Sequence, residues 1–378
     1  MKADYLNPDT SLYLGILAPD LDPRHGWGAY SLGLLRAFQR RGVALTIITA
    51  RNSPFVDDIK MLPLLPTITP PDSAFLPRLA LAAPAVRAAL RGCDVIHALA
   101  EPYAPLAAWI AGARPLFISG HGTYVRLPVQ PFPRGALYRW AFQRGRLICV
   151  SRYTDSIARG VLPDVQTVVI NNGIEAADLL LLARTPDATP VILSVGAVKA
   201  RKGMLELVQA LAIVREHVPD ARLIIVGALD IEPEYVVQVR AEIARLGIGE
   251  VVELRGRVPD EELRGLYRTA HLFALPALNA GDSFEGYGLA LLEASATGLP
   301  VVSTLGSGTE DAVDDGVTGL LALQGDAQAL ASALLQLLRD PLLAARMGAA
   351  GRLKAAAQTW DAVAARYLEV YREHQLQR

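Results

Sequence analysis

The sequence predicts an α/β protein built from two doubly wound domains that face each other across a cleft. Three observations lead there. Strand-like apolar runs alternate with helix-like segments through the whole chain. The series begins twice, once at "LYLGILA" and again at "PVILSVGA". The length of 378 residues suits two or three domains.

In the first half, "LYLGILA" (12–18) reads as a buried strand, and "GAYSLGLLRAFQRRG" as a helix ending at Gly42. "VALTIITA" is the next strand, and "RLALAAPAVRAALRGCDVIHAL" a helix and then a strand. "RPLFISGHG", "RLICVS" and "TVVINNG" complete the half. In the second half "PVILSVGA", "ARLIIVGA", "VVELRGRV", "HLFALPA", "LPVVST" and "TGLLAL" are the strands. "KGMLELVQALAIVREHVP" and "EYVVQVRAEIARLG" are helices among them. The boundary is expected within 176–190. This gives domains of 1–175 and 176–360, followed by a terminal helix, 361–378, that returns toward the first domain.

Composition excludes several classes. Charged residues make up 20% of the chain, which leaves ample apolar sequence for two cores. Cys93 and Cys149 lie in apolar strand-like runs, so they predict buried thiols and a reducing compartment. "MKADYLNPDT" is polar, so no secretory leader is expected. No run reaches the roughly 18 apolar residues of a membrane span. A cytoplasmic protein is expected, and no nucleic-acid partner, since no basic module stands apart.

Charge is uneven. Residues 1–175 hold 18 Lys/Arg against 12 Asp/Glu, and residues 176–378 hold 19 against 26. Residues 121–154 carry six arginines and no acid, with Tyr124, Phe132, Tyr138, Trp140 and Phe142 among them. That pattern suits phosphates or a membrane surface. It equally suits a solvated helix face.

Ligands of open parallel sheets bind beyond the carboxyl ends of the strands, so the loops there are the candidate sites. "DPRHGWGAYS" (22–31) offers Gly26 and Gly28 before a helix N-terminus, without a complete dinucleotide fingerprint. "SGHGTY" sets His121 between two glycines. "GAVKARKGM" clusters Lys199, Arg201 and Lys202 at a helix N-terminus, where an anion is favoured. It is not a Walker A loop, yet a phosphate-bearing ligand fits it. Ser307, Gly308 and Thr309 either cap a short helix or line the cleft.

"SFEGYGLALLEASATGLPVV" holds Glu285 and Glu293, with a helix expected over "YGLALLEASATG". Eight helical positions span about 12 Å and about 800° of turn, so the two carboxylates do not share a proton. One Glu at the helix mouth and one further along can hold different hydroxyls of an elongated ligand.

Together these motifs resemble the retaining glycosyltransferases of family four, which have the two-Rossmann-domain GT-B fold. The resemblance rests on "VGAVKARKG", "LIIVG", "LRGRVPDEELRGLYRTAHLFALPA", "EGYGLALLEASATGLPVVST", "DGVTGLL" and "TWDAVAARYLEVY". "GWG", "SGHGTY", "CVSRYT" and "VINNGI" add to it in the first half. It implies hexosyl transfer, with retention and without a metal or cofactor, from a nucleotide diphosphate sugar (UDP- or GDP-linked) to an acceptor hydroxyl. The acceptor would be a sugar, a lipid-linked sugar or a polysaccharide, with peripheral contact at the inner membrane face through 121–154 permitted. By position, Lys202 and Arg201 would bind the diphosphate beside Gly196. Glu293 would hold the ribose and Glu285 the transferred sugar. Gly286 and the backbone amides of Tyr287, Gly288 and Leu289 would face phosphate or sugar. Val258 would meet the base through its backbone, and His121 would lie near the sugar. Gly26 and Gly28 would give room for the diphosphate, with Asn172 and Gly173 at the cleft floor. Ala197 stands where the family often has arginine, and Arg201 offers a substitute cation. A nucleotide-sugar epimerase, or a non-catalytic sugar-nucleotide-binding protein of the same fold, is the alternative.

Overall fold

The computed structural model describes residues 12–24, 26–68 and 74–376. The expectation about a leader falls on residues 1–11, and His25 of the first glycine loop is also outside the described residues. The chain divides into two units, one of residues up to Gly173 together with those from Trp360 on, the other Ile174–Thr359.

The first unit contains a seven-stranded sheet: β1 (Tyr13–Ala18), β2 (Ala44–Ala50), β3 (Met61–Leu65), β4 (Val95–Ala98), β5 (Leu116–Gly120), β6 (Arg146–Cys149) and β7 (Gln166–Val169). Their spatial order is β3-β2-β1-β4-β5-β6-β7, all parallel. Helices α1 (Gly26–Arg40), α2 (Phe75–Ala89), α3 (Ala104–Ala111), α4 (Arg134–Arg144) and α5 (Arg152–Val161) connect them. β1 and β4 are buried almost throughout, as continuous Leu/Ile/Val runs between two helical layers should be. β3 is absent from the sequence reading. "MLPLL" carries Pro63, which cannot donate to a ladder, and the strand lies at the sheet edge where proline is tolerated.

The second unit contains β8 (Val191–Val195), β9 (Arg222–Val226), β10 (Val252–Gly256), β11 (Leu272–Ala274), β12 (Val301–Thr304) and β13 (Gly319–Ala322). The order is β10-β9-β8-β11-β12-β13, again parallel. Its helices are α6 (Ala177–Leu180), α7 (Met204–Arg215), α8 (Pro233–Arg245), α9 (Asp260–Thr269), α10 (Leu289–Ala296), α11 (Ala327–Arg339) and α12 (Pro341–Ala357).

Helix α13 (Trp360–Leu376) belongs to the first unit and packs on α1. Two buried tyrosines fasten it. Tyr367 shares a hydrogen bond of 2.6 Å with Tyr30, and Tyr371 one of 2.7 Å with Nδ1 of His97 on β4. Cys93 and Cys149 are buried and unbridged.

Each sheet starts in its middle, runs to one edge and then crosses to the other side. The crossings fall between β1 and β4 and between β8 and β11. A crevice opens at such a switch point beyond the strand ends, because the flanking helices leave on opposite faces.

Candidate functional site

The second unit gathers its chemistry at its switch point. β8 leads into a 3-10 turn at Ala200–Lys202, capped by Gly203, and α7 follows. Gly203 has φ +67°, and a Cβ there would stand 1.9 Å from the carbonyl oxygen of Pro276, beyond the end of β11. Only glycine allows this approach. It brings the two loops together, and the Leu278 amide donates to the Arg201 carbonyl at 2.9 Å.

The side chains then meet. Lys202 Nζ lies 2.8 Å from Glu285 Oε2, and Arg201 pairs with the same oxygen. Glu285 is 8% exposed. Burial alone would push its pKa up, but the charges of Arg201 and Lys202 outweigh burial and hold it at about 2. Burial pushes Lys202 down, and Glu285 opposes that shift. The result is an ionised carboxylate between two cations. Lys202 also lies across Gly196, where a Cβ would be 3.4 Å from its Cε.

Helix α10 begins at Leu289, later than expected, after Gly288 in the left-handed conformation (φ +85°). Glu285 stands in the loop before the helix, as expected of a residue at its mouth. The helical-spacing argument that separated it from Glu293 does not apply to it. Gly286, Tyr287 and Gly288 make the approach, with the Tyr287 phenol buried. The first amides of α10 have no partner within the helix. Glu293 sits in the second turn, where Tyr267 donates to its Oε2 at 3.4 Å. Burial raises its pKa, and Lys202 pulls it down. Lys202, Arg201, Glu285 and Glu293 thus form one neighbourhood. Val258 is half-buried between β10 and α9.

Sequence reading singled out Ser307, Gly308 and Thr309 as a cap, but not the loop they support. The Gly308 amide donates to the Glu285 carbonyl at 2.9 Å, and a Cβ on Gly308 would stand 1.9 Å from the Gly286 carbonyl oxygen. Ser307 caps the 3-10 turn Gly308–Asp311 by accepting from the Thr309 amide. This loop clamps the Glu285 loop. From α8 and the residue before it, Glu232 accepts from the Ala200 amide at 2.9 Å and Tyr235 from the Leu205 amide at 3.0 Å. For the Glu232 and Tyr235 contacts the trace in the sequence is the "EPEY" spacing.

The first unit has its own cluster. His121 follows β5, and its Nε2 donates to the Leu99 carbonyl at 2.7 Å. That bond fixes the proton on Nε2 and leaves Nδ1 as an acceptor. Burial pushes the His121 pKa down to about 4. The ring meets Tyr30 edge-on at 4.3 Å. The His121 amide donates to Glu101 Oε1 at 2.6 Å. Glu101, fully buried after β4, is pushed up to about 7 by burial, against the backbone amides of His121 and Gly122. Sequence reading overlooked it. Its signal is that no other acid occurs between Asp94 and Asp155.

The side of Gly26 is open, whereas a Cβ on Gly28 would lie 2.0 Å from the Asp22 carbonyl oxygen. Gly28 therefore lets its own loop close. Asn172 is buried just after β7, followed by Gly173. Among the described residues, no three His, Cys, Asp or Glu side chains cluster as metal ligands would. No described helix is long and apolar enough to cross a membrane.

Comparison with known proteins accords with this geometry. The family "Glycosyl transferases group 1" matches residues 183–354, and "Glycosyltransferase Family 4" matches residues 25–178. A GDP-mannose-dependent α-(1-6)-phosphatidylinositol monomannoside mannosyltransferase of Mycobacterium tuberculosis is 32% identical, over 72% of this chain and 74% of its own. The Mycolicibacterium smegmatis protein of the same name is 35% identical, over 64% of this chain and 65% of its own. Sucrose-phosphate synthase of Thermosynechococcus elongatus superposes with a TM-score of 0.79 at 23% identity, covering 97% of this chain and all of that one. Two parallel doubly wound sheets, two matching family models and a relative aligned over most of both chains place this protein in the group 1, family 4 glycosyltransferases, with the GT-B fold.

Proposed function

We propose that the chain transfers a mannosyl unit from GDP-mannose to a hydroxyl of a lipid-linked inositol mannoside, with retention and without a metal ion. The observation that carries this reading is the carboxylate–cation cluster of Glu285, Arg201 and Lys202 at the β8–β11 switch point. The names of the mycobacterial relatives supply the donor and the acceptor class.

The roles follow from charge. Arg201, Lys202 and the α10 N-terminus would neutralise the diphosphate as it leaves. Glu293 would accept from ribose hydroxyls and Glu285 from sugar hydroxyls. The bond from the anomeric carbon to the phosphate oxygen breaks as the acceptor oxygen bonds to that carbon from the same face. The acceptor's proton passes to the leaving phosphate. We place the reaction in the cytoplasm at the membrane face, where a lipid-linked acceptor is available.

Thermal melting with GDP, UDP, ADP and their sugars tests the donor, because a ligand bound only by the folded state stabilises it. GDP and GDP-mannose should raise Tm most. Stabilisation by UDP compounds alone would replace the proposed donor.

A further inference from the structure

The structure separates the basic, aromatic stretch after β5 into an inward and an outward set. Tyr138 and Phe142 are buried. Phe132 is 88% exposed at the turn before α4, Trp140 on α4 is 45% exposed, and Trp109 on the neighbouring α3 is 56% exposed. Val129 and Leu137 are exposed beside them. An open groove of ≈ 310 Å³ runs between Phe132 and Trp140, and Ala136, Arg139 and two glutamines complete its lining.

The charge around these side chains has one sign. Residues 102–154 contain seven arginines and no Asp or Glu. α3 and the 3-10 turn Thr123–Val129, which pack on α4, therefore contribute no acid to this face. A protein surface that only met water would not gather large apolar side chains here. Nucleic acid would favour a row of free cations. Here Arg144 is tied to the Gly112 carbonyl and Arg114 to the carbonyls of Leu90 and Ile110, while Arg139 spends one Nη on the Pro128 carbonyl at 3.3 Å and keeps the rest of its exposed guanidinium for a phosphate. Apolar tips backed by arginine and free of acid match the anionic headgroup–acyl boundary, where tryptophan and phenylalanine are stable.

We propose that the α3–α4 face docks on an anionic phospholipid bilayer, with Phe132 and Trp140 entering the headgroup–acyl boundary and Arg139 meeting lipid phosphate. This deepens the lipid-linked-acceptor reading above and gives it a surface. None of the three side chains belongs to the proposed sugar-transfer machinery.

Co-sedimentation of the full chain with phosphatidylcholine vesicles, with and without phosphatidylglycerol, tests it. The wild type should partition onto the phosphatidylglycerol vesicles and much less onto neutral ones. The double variant Phe132→Ser, Trp140→Ser should lose about tenfold or more of that partition, from the lost apolar burial. Arg139→Glu should weaken it about fivefold or more. Melting curves of both variants should stay close to the wild type, since these side chains are exposed. Equal partition of wild type and variants, or no preference for phosphatidylglycerol, overturns the proposal. So does vesicle binding that salt abolishes while Phe132→Ser, Trp140→Ser leaves it intact, since this would be a purely electrostatic contact. Vesicle binding by a protein that uses another donor would sink the GDP-mannose reading and leave the docking face standing.

Discussion

Lys202 Nζ lies 2.8 Å from Glu285 Oε2, so in the donor-free protein the lysine already has an anionic partner. Arg201 shares that partner. Glu285 acts as an internal counterion for two cations that would otherwise repel each other at close quarters. A diphosphate entering the site would take over part of that role and release the carboxylate to accept from sugar hydroxyls.

Exchange of the counterion predicts an unusual ligand response. Glu285→Gln removes the charge and leaves the cations in place, so Tm should fall. Saturating GDP should then raise Tm by more in the variant than in the wild type, because phosphate supplies the missing anion. Differential scanning fluorimetry gives both shifts. An equal or smaller shift in the variant would show that phosphate does not bind where Glu285 now neutralises the cations.

Stability should also depend on pH through His97 and Glu101, with opposite signs. His97 is fully buried, and burial pushes its pKa down to about 3 from an ordinary 6.5. The unfolded chain binds that proton first, so stability falls as pH drops from about 6.5 toward 3. Glu101 is raised from 4.5 to about 7. The folded chain keeps its proton longer, so stability falls as pH rises from about 4.5 to 7. Each full proton is worth about 1.4 kcal/mol per pH unit. Between pH 4.5 and 6.5 the Glu101 slope opposes that of His97 and that of His121, which burial lowers to about 4, so a net loss toward acid remains. Glu101→Gln should steepen the loss toward acid in that window, and His97→Gln should flatten it. Urea unfolding at pH 5 and pH 7 measures the slopes, and unchanged slopes in both variants would refute the assignment.

Gly203 should be intolerant of any side chain. Ala at φ +67°, with its Cβ directed 1.9 Å from a carbonyl oxygen, should cost at least about 1–3 kcal/mol and displace the Arg201–Lys202 turn. Gly26→Ala faces open space and should stay within about 0.5 kcal/mol. Chemical denaturation compares the two. Equal stability of Gly203→Ala and wild type would contradict the close approach.

Much of this arrangement was legible in the sequence. Both sheets followed from continuous apolar runs, and the loops holding Lys202, Glu285 and His121 followed from their places at strand ends. Three features were not. β3 was hidden by Pro63, which a strand accepts only at an edge, and edges are set by tertiary order. The start of α10 was misread because the left-handed Gly288 interrupts a sequence with good helical composition. The Lys202–Glu285 pair and the Gly308 clamp join loops that follow different strands, and no local pattern encodes such contacts. Glu101 had a signal, as a lone carboxylate in an acid-free stretch, but its partner is a backbone amide that carries no sequence mark.

The central claim is that Lys202 and Glu285 serve transfer of mannose from GDP-mannose with retention. The most direct measurement is a transfer assay with GDP-mannose and a phosphatidylinositol mannoside in the presence of EDTA, with NMR of the product and melting curves of each enzyme. The account predicts an α-linked mannosyl product from the wild type, unaffected by EDTA. It also predicts a loss of about a hundredfold or more in Lys202→Ala and Glu285→Gln while both remain folded at the assay temperature. A β-linked product, or near-normal turnover in both variants, would contradict it.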